Sequence, residues 1–180
     1  MDFQDITSLI VAAFPDAAID ADTKGPQPVL IIPVENVQDI CRFLHENEKL
    51  YFDYLACITA IDNGAGLATM EVIYNLTSIP YGTNLTLKAI FPRNLPDSPL
   101  PSVPTVSNIW RTADWHEREA YDLMGIHFEG HPDLRRILLP EDWQGHPLRK
   151  DYNTQDRYHG IYVRYEDGNS EQQPADTDRA

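Results

Sequence analysis

Cysteine is nearly missing from this chain: 180 residues hold two, Cys41 and Cys57, in no metal-ligand spacing. Such a pair cannot hold an iron–sulfur cluster or a thiolate zinc site alone, and each sits among apolar neighbours where it packs as a small hydrophobe. No G-x-x-x-x-G-K loop is there to cradle phosphates, and no Ser–His–Asp or Cys–His arrangement is legible. No apolar run approaches the ~20 residues that cross a bilayer, and no basic, apolar leader opens the chain. Basic residues are scarce too: 14 Lys plus Arg against 28 Asp plus Glu give a formal net charge of -14. That balance is wrong for a phosphate-backbone binder, which sets nucleic acid aside. The expectation is a soluble, cytosolic chain whose membrane contact comes only through partners.

What is present argues for a folded protein, with 42% hydrophobic and 10% aromatic residues in a length that suits one domain plus a terminal extension. Phe3, Ile6, Leu9, Ile10 and Ala13 recur at helical spacing and predict a helix over 3–13, ended by Pro15. Val29 to Ile32, bracketed by prolines, reads as a short buried strand. Val37, Ile40, Cys41 and Leu44 predict a second helix over 35–47. Three extended runs follow over 52–61, 68–77 and 83–91, joined by turns short enough to require antiparallel pairing. A proline-rich connection covers 92–104, and a helix over 113–124 is closed by Gly125. Residues 126–152 read as mostly irregular, Ile161–Tyr165 as a last short strand, and the chain from Glu166 as a disordered tail. The fold class expected is α+β: an antiparallel or mixed sheet with helices packed on it, then an extended irregular C-terminal segment. The organisation expected is an α+β domain over 1–125, a docking segment over 126–165 and a tail over 166–180.

The densest information lies between Glu117 and Tyr152. Gly-His-Pro followed by Leu-Arg occurs twice, at Gly130-His131-Pro132-Asp133-Leu134-Arg135-Arg136 and at Gly145-His146-Pro147-Leu148-Arg149-Lys150. Residues 101–160 carry 7 basic against 10 acidic groups, whereas residues 1–100 carry 5 against 13, so the motif region is nearly balanced and ion-paired. The helix before it has no clean apolar stripe. Glu117, Arg118, Glu119 and Asp122 crowd it, with Arg118 and Asp122 four apart and able to pair. Glu119 and Asp122 share one side and repel unless a cation such as Arg135, Arg136, Arg149 or Lys150 lies between them. A salt-bridged solvated face is the ordinary reading of such a helix; a docking helix completed by another subunit is the functional one. Five of the six histidines fall in 116–159, and His127 and His131 stand four apart, which raises a metal-dependent hydrolase using them and a carboxylate. Gly130 and Pro132 beside His131 argue against a helix there and hence against that site.

The runs Glu117-Arg118-Glu119-Ala120-Tyr121-Asp122-Leu123-Met124-Gly125-Ile126, Gly130 to Leu138 and Asp142 to Tyr152 resemble the 30 kDa subunit family of respiratory complex I, the NADH–quinone oxidoreductase. The likeness is densest over 110–152 and weakest over 1–50. It implies a non-redox assembly subunit of the hydrophilic arm of a proton-translocating enzyme, with no cofactor of its own. NADH, flavin, iron–sulfur clusters and quinone would be handled by partner subunits. It implies docking on the large quinone-site subunit and its cluster-bearing neighbours, peripherally at the cytoplasmic face of the bacterial membrane. The residues it assigns to docking are Glu117, Arg118, Glu119, Asp122, His131, Arg135, Arg136, Asp142, Trp143, His146, Arg149, Lys150 and Asp151. Related subunits serve photosynthetic and hydrogenase complexes, and the motifs do not separate these.

Overall fold

The N-terminal helix forms where its apolar spacing predicts it. In the computed structural model, which describes residues 1–95 and 98–163, α1 spans Phe3–Ala13. Its start is fixed by a reciprocal cap: Asp2 accepts from the Asp5 N–H at 2.9 Å and Asp5 accepts from the Asp2 N–H at 3.2 Å. Ile6 and Ile10, one turn apart, are buried. Two strands follow, β1 (Asp20–Asp22) and β2 (Val29–Ile32), the second alternating so that Leu30 and Ile32 face the core. β1 is an addition to the expected elements: three residues, two of them aspartates, carry no apolar period.

A 3-10 turn at Val34–Asn36 leads into α2 (Val37–Glu46), which buries the four apolar positions that predicted it, Val37, Ile40, Cys41 and Leu44. Three long strands come next: β3 (Tyr54–Asp62), β4 (Thr69–Ser78) and β5 (Thr83–Pro92), with a single helical turn, α3 (Gly64–Leu67), inside the first connection. The sheet order is β1-β2-β5-β4-β3. The β3–β4–β5 meander is antiparallel as its tight connections require, while β2 joins β5 in parallel. That pairing is open to β2 because α2 and two strands intervene before β5. The sheet is therefore mixed, and the architecture is α+β.

The sequence from Ser102 onward folds over this layer. β6 (Ser102–Pro104) runs parallel to β7 (His127–Glu129), and α4 (Ala113–Met124) lies between them in sequence and against β3 in space. Trp110 Nε1 donates to the Phe52 carbonyl and Thr112 Oγ1 to the Leu55 carbonyl, fixing the approach to α4 on the entry of β3. The expected irregular stretch starts later than 126: Ile126 and Phe128 are buried, and 127–129 form a strand too short to show a period. A hairpin of β8 (Arg157–Tyr158) and β9 (Ile161–Tyr162) ends the described chain. The strand expected over 161–165 is present in its first two residues and has ended at Val163; residues 164 and 165 and the expected tail lie outside the described residues. Among the described residues no helix is long and apolar enough to cross a membrane.

Candidate functional site

One face of α4 consists of Ala113, Glu117, Ala120 and Met124, all buried, at spacings of four, three and four. This is the apolar stripe that could not be seen in the sequence, because a glutamate interrupts it. The Glu117 carboxylate accepts from the Val106 N–H at 2.7 Å and from the Thr105 hydroxyl. Burial pushes its pKa up to about 7, against the pull of those two donors and with a small push from Asp114.

The segment Gly130–Tyr152 forms a strap along the other side of α4, and the two Gly-His-Pro copies grip opposite ends of that helix. In the first copy, the Asp133 N–H donates to His131 Nδ1. The ring proton therefore sits on Nε2, which donates to the Asp114 carbonyl at 3.2 Å in the first turn of α4. His131 has a fully covered ring lying 3.9 Å from Glu117. In the second copy, His146 Nδ1 donates to the Asp122 carbonyl at 2.9 Å. The Leu148 N–H donates to the Leu123 carbonyl, and Arg149 donates to the carbonyls of Met124 and Gly125 at 2.8 and 3.0 Å. The last carbonyls of α4, which have no partners inside a helix, are thus all taken up, and a guanidinium stands at the negative end of the helix dipole. Burial holds the His146 pKa below the ordinary range, and the nearby Arg149 and Arg136 charges add to this.

Gly125 makes this grip possible. Its φ of 65° is the left-handed C-cap conformation, and an added Cβ would fall 2.5 Å from the His146 ring.

Two carboxylates hold the strap itself. Asp122 Oδ2 accepts from the consecutive N–H groups of Ile137, Leu138 and Leu139 at 2.8–3.0 Å, and Oδ1 takes the Arg136 guanidinium at 2.8 Å. Arg136 reaches onward to the carbonyls of Trp143 and Gly145. Burial opposes the Asp122 charge, but three backbone donors and Arg136 outweigh it and keep its pKa below the usual carboxylate range. At the other end, Asp62 accepts from the N–H groups of Gly64 and Lys150 and from Arg93, which also pairs with Asp151. Its pKa is likewise depressed: burial opposes, and those donors prevail.

Most of the residues expected to dock are thereby placed. Glu117, Asp122, Arg136, His146 and Arg149 make their bonds inside the chain. Arg118 does not pair with Asp122: its guanidinium donates to the carbonyls of Arg135 and Arg136 and lies 5.4 Å from the Trp115 ring centroid. Trp143 donates to the Tyr152 hydroxyl, and exposed Asp142 accepts from Tyr158 and His159. Glu119, Arg135, Lys150 and Asp151 are exposed. The cation at Asp122 is Arg136, one of the four candidates. Sequence reasoning missed Arg93 and Thr105 as partners; neither belongs to a motif, and each is more than ten residues from the carboxylate it serves.

His127 and His131 do not converge. His127 is exposed on β7, whereas the His131 ring is enclosed by α4. Among the described residues no group of three His, Cys, Asp or Glu side chains comes together to hold a metal ion. An open cavity of about 340 Å³ is lined by Gln144, His146, Arg149 and Tyr152 of the strap.

Fold and site together define an α+β scaffold bearing a strap whose motif residues cap a helix and pin backbone. The family described as respiratory-chain NADH dehydrogenase, 30 kDa subunit, matches residues 30–158, and the chain belongs to that family. It is 47% identical to an NADH-quinone oxidoreductase subunit of Chloroherpeton thalassium, over 87% of this chain and 63% of that protein. It is 51% identical to the Geobacter sulfurreducens counterpart, over 79% of this chain and 84% of that one. Its fold matches a chain in the structure of the membrane-bound sulfane sulfur reductase, an archaeal respiratory membrane complex. There the TM-score is 0.67 at 24% identity, covering 89% of this chain and 98% of that chain. The resemblance drawn from the motifs is thereby confirmed, and the chain is a subunit type of a multisubunit oxidoreductase.

Proposed function

We propose that this chain is the non-redox assembly subunit of the hydrophilic arm of a proton-translocating NADH–quinone oxidoreductase, peripheral at the cytoplasmic face of the membrane. It docks on the large quinone-site subunit and on neighbouring iron–sulfur subunits. It holds them so that electrons from NADH pass through flavin and clusters in those partners to quinone, with no cofactor in this chain. Docking uses the outward side of the α4–strap unit, where Glu119, Arg135, Asp142, Lys150 and Asp151 are exposed. The buried and half-buried members of the constellation, Glu117, Arg118 and Asp122 with His131, Arg136, Trp143, His146 and Arg149, act as its supports.

The observation that carries this reading is the capping of α4 by the second Gly-His-Pro copy together with the Asp122 clamp on the first. A polar segment with so little burial of its own is held in one shape, and a preshaped surface binds without the cost of ordering it. The test is affinity capture of the co-expressed quinone-site subunit by the full chain, alongside NADH–quinone reductase activity in membranes from cells lacking this chain. Capture, and activity that returns only when the chain is supplied, are expected. Full activity in its absence would overturn the assignment.

A further inference from the structure

Resting on that docking reading, one place on the α4–strap surface is built as an anchor. Trp115 is 63% exposed, unusual for so large an apolar ring. It is not loose. The Arg118 guanidinium stacks on the indole at 5.4 Å, and Arg118 is itself tied to the carbonyls of Arg135 and Arg136. Leu138, on the strap, is 62% exposed while its backbone N–H is held by Asp122. Both apolar groups are thus presented on backbone that is fixed before any partner arrives, which lowers the entropy lost on binding.

The charge around them is incomplete. Among the described residues no carboxylate lies within ion-pair distance of Arg118, and Arg135 is met only by Asp133, with both side chains more than half exposed. Arg118 thus stands over Trp115 without a carboxylate of its own, although Asp114 and Glu119 neighbour Trp115 along α4. Tryptophan and arginine are also among the side chains that carry most of the energy in protein interfaces.

We infer that Trp115 and Leu138, backed by Arg118 and Arg135, form the anchor of the interface with the quinone-site subunit, accepting an apolar side chain flanked by a carboxylate. The aliphatic or aromatic group covers the indole and Leu138. The carboxylate meets Arg135 at the rim and completes the charge left over by Arg118.

The experiment is capture of the co-expressed quinone-site subunit by the full chain carrying Trp115→Ala, Leu138→Ala or Arg135→Glu, with thermal melting of each purified variant as the folding control. Trp115→Ala is expected to weaken binding by roughly thirtyfold or more with an unchanged melt, as loss of an interface hot spot does. Arg135→Glu should weaken binding and flatten its dependence on salt, while Trp115→Phe should keep most of it. Capture by folded Trp115→Ala and Leu138→Ala at the wild-type level would overturn the anchor. The docking reading survives that result if Lys150→Glu or Asp151→Lys abolishes capture instead. Failure of the wild-type chain to capture the quinone-site subunit would overturn both.

Discussion

β4 and the strap belong to one fold and are held by opposite means. β4 buries Met70, Val72, Tyr74 and Leu76 in strict alternation, and its order follows from apolar area removed from water. No residue from Gly130 to Tyr152 is fully buried, the covered ring of His131 aside. Yet the strap is bonded to the rest of the chain along its whole length, through Asp114, Asp122, the carbonyls at the end of α4, and Asp62. Polar bonds of this kind are directional and each depends on a single partner. The sheet should therefore fail gradually under substitution, while the strap should fail at a few residues.

The largest break is expected at Asp122. Asp122→Ala strands three backbone donors and the Arg136 charge at once. Removing one partner of a buried charged network typically costs about 3–5 kcal/mol. Chemical denaturation should register that loss. Hydrogen exchange should show residues 136–149 opening while β4 and β5 stay protected. Equal loosening of the sheet would mean that the two regions unfold as one.

pH separates the regions in a second way. Glu117, under α4, has a folded pKa of about 7, above the ~4.3 of an unfolded glutamate. A raised folded pKa means its contribution is complete below about pH 4.3 and is lost as pH rises through 7. Asp62 and Asp122 have depressed folded values, so theirs is complete above the ~3.9 of an unfolded aspartate and is lost as pH falls below it. Glu117→Gln keeps the acceptor for Val106 and offers Thr105 a donor. It should remove a decline on the order of 3 kcal/mol between about pH 4.5 and 7.5 and leave the acid limb in place. Denaturant midpoints measured across that range for both proteins decide the matter, and parallel curves would count against a buried, proton-holding Glu117.

Gly125→Ala comes next in size. The left-handed conformation costs a non-glycine residue about 1–2 kcal/mol, and the new Cβ would press on His146 and Arg149. A loss of roughly 2 kcal/mol is expected, with exchange rising at 146–150. Exchange rising only within α4 would show that the strap adapts to the methyl group.

The same contrast explains what could be read in advance. α1, α2, β4 and β5 were legible because each buries one side of a regular period, and Val37, Ile40, Cys41 and Leu44 show this most plainly; β3, whose alternation is broken by a bulge between Leu55 and Cys57, was legible from its run of Tyr, Ile, Leu and Thr. The motif region announced itself by its repeat and by its match to a known family, but not by its geometry. Asp122 meets donors fourteen to seventeen residues away, and Asp62 accepts from Lys150 across 88 positions. No local rule connects such pairs. β1 and β7 escaped for a simpler reason, being three residues long.

Glu117 and Glu119 give the sharpest and smallest form of the comparison. The two residues are identical in type, stand two apart in one helix, and were not distinguished by any pattern in the sequence. A rotation of about 200° separates them on the helix, so one enters the core stripe with Ala113 and Ala120 while the other faces solvent. Glu119→Ala should change stability by less than about 0.5 kcal/mol, as exposed substitutions do. Glu117→Gln is the contrasting variant at the buried position. Thermal and denaturant melts of the two variants, run side by side, make the measurement. A loss at position 119 as large as that from removing a buried group would mean that the outer face of α4 is covered within the isolated chain, and the exposed surface assigned there to docking would have to be redrawn.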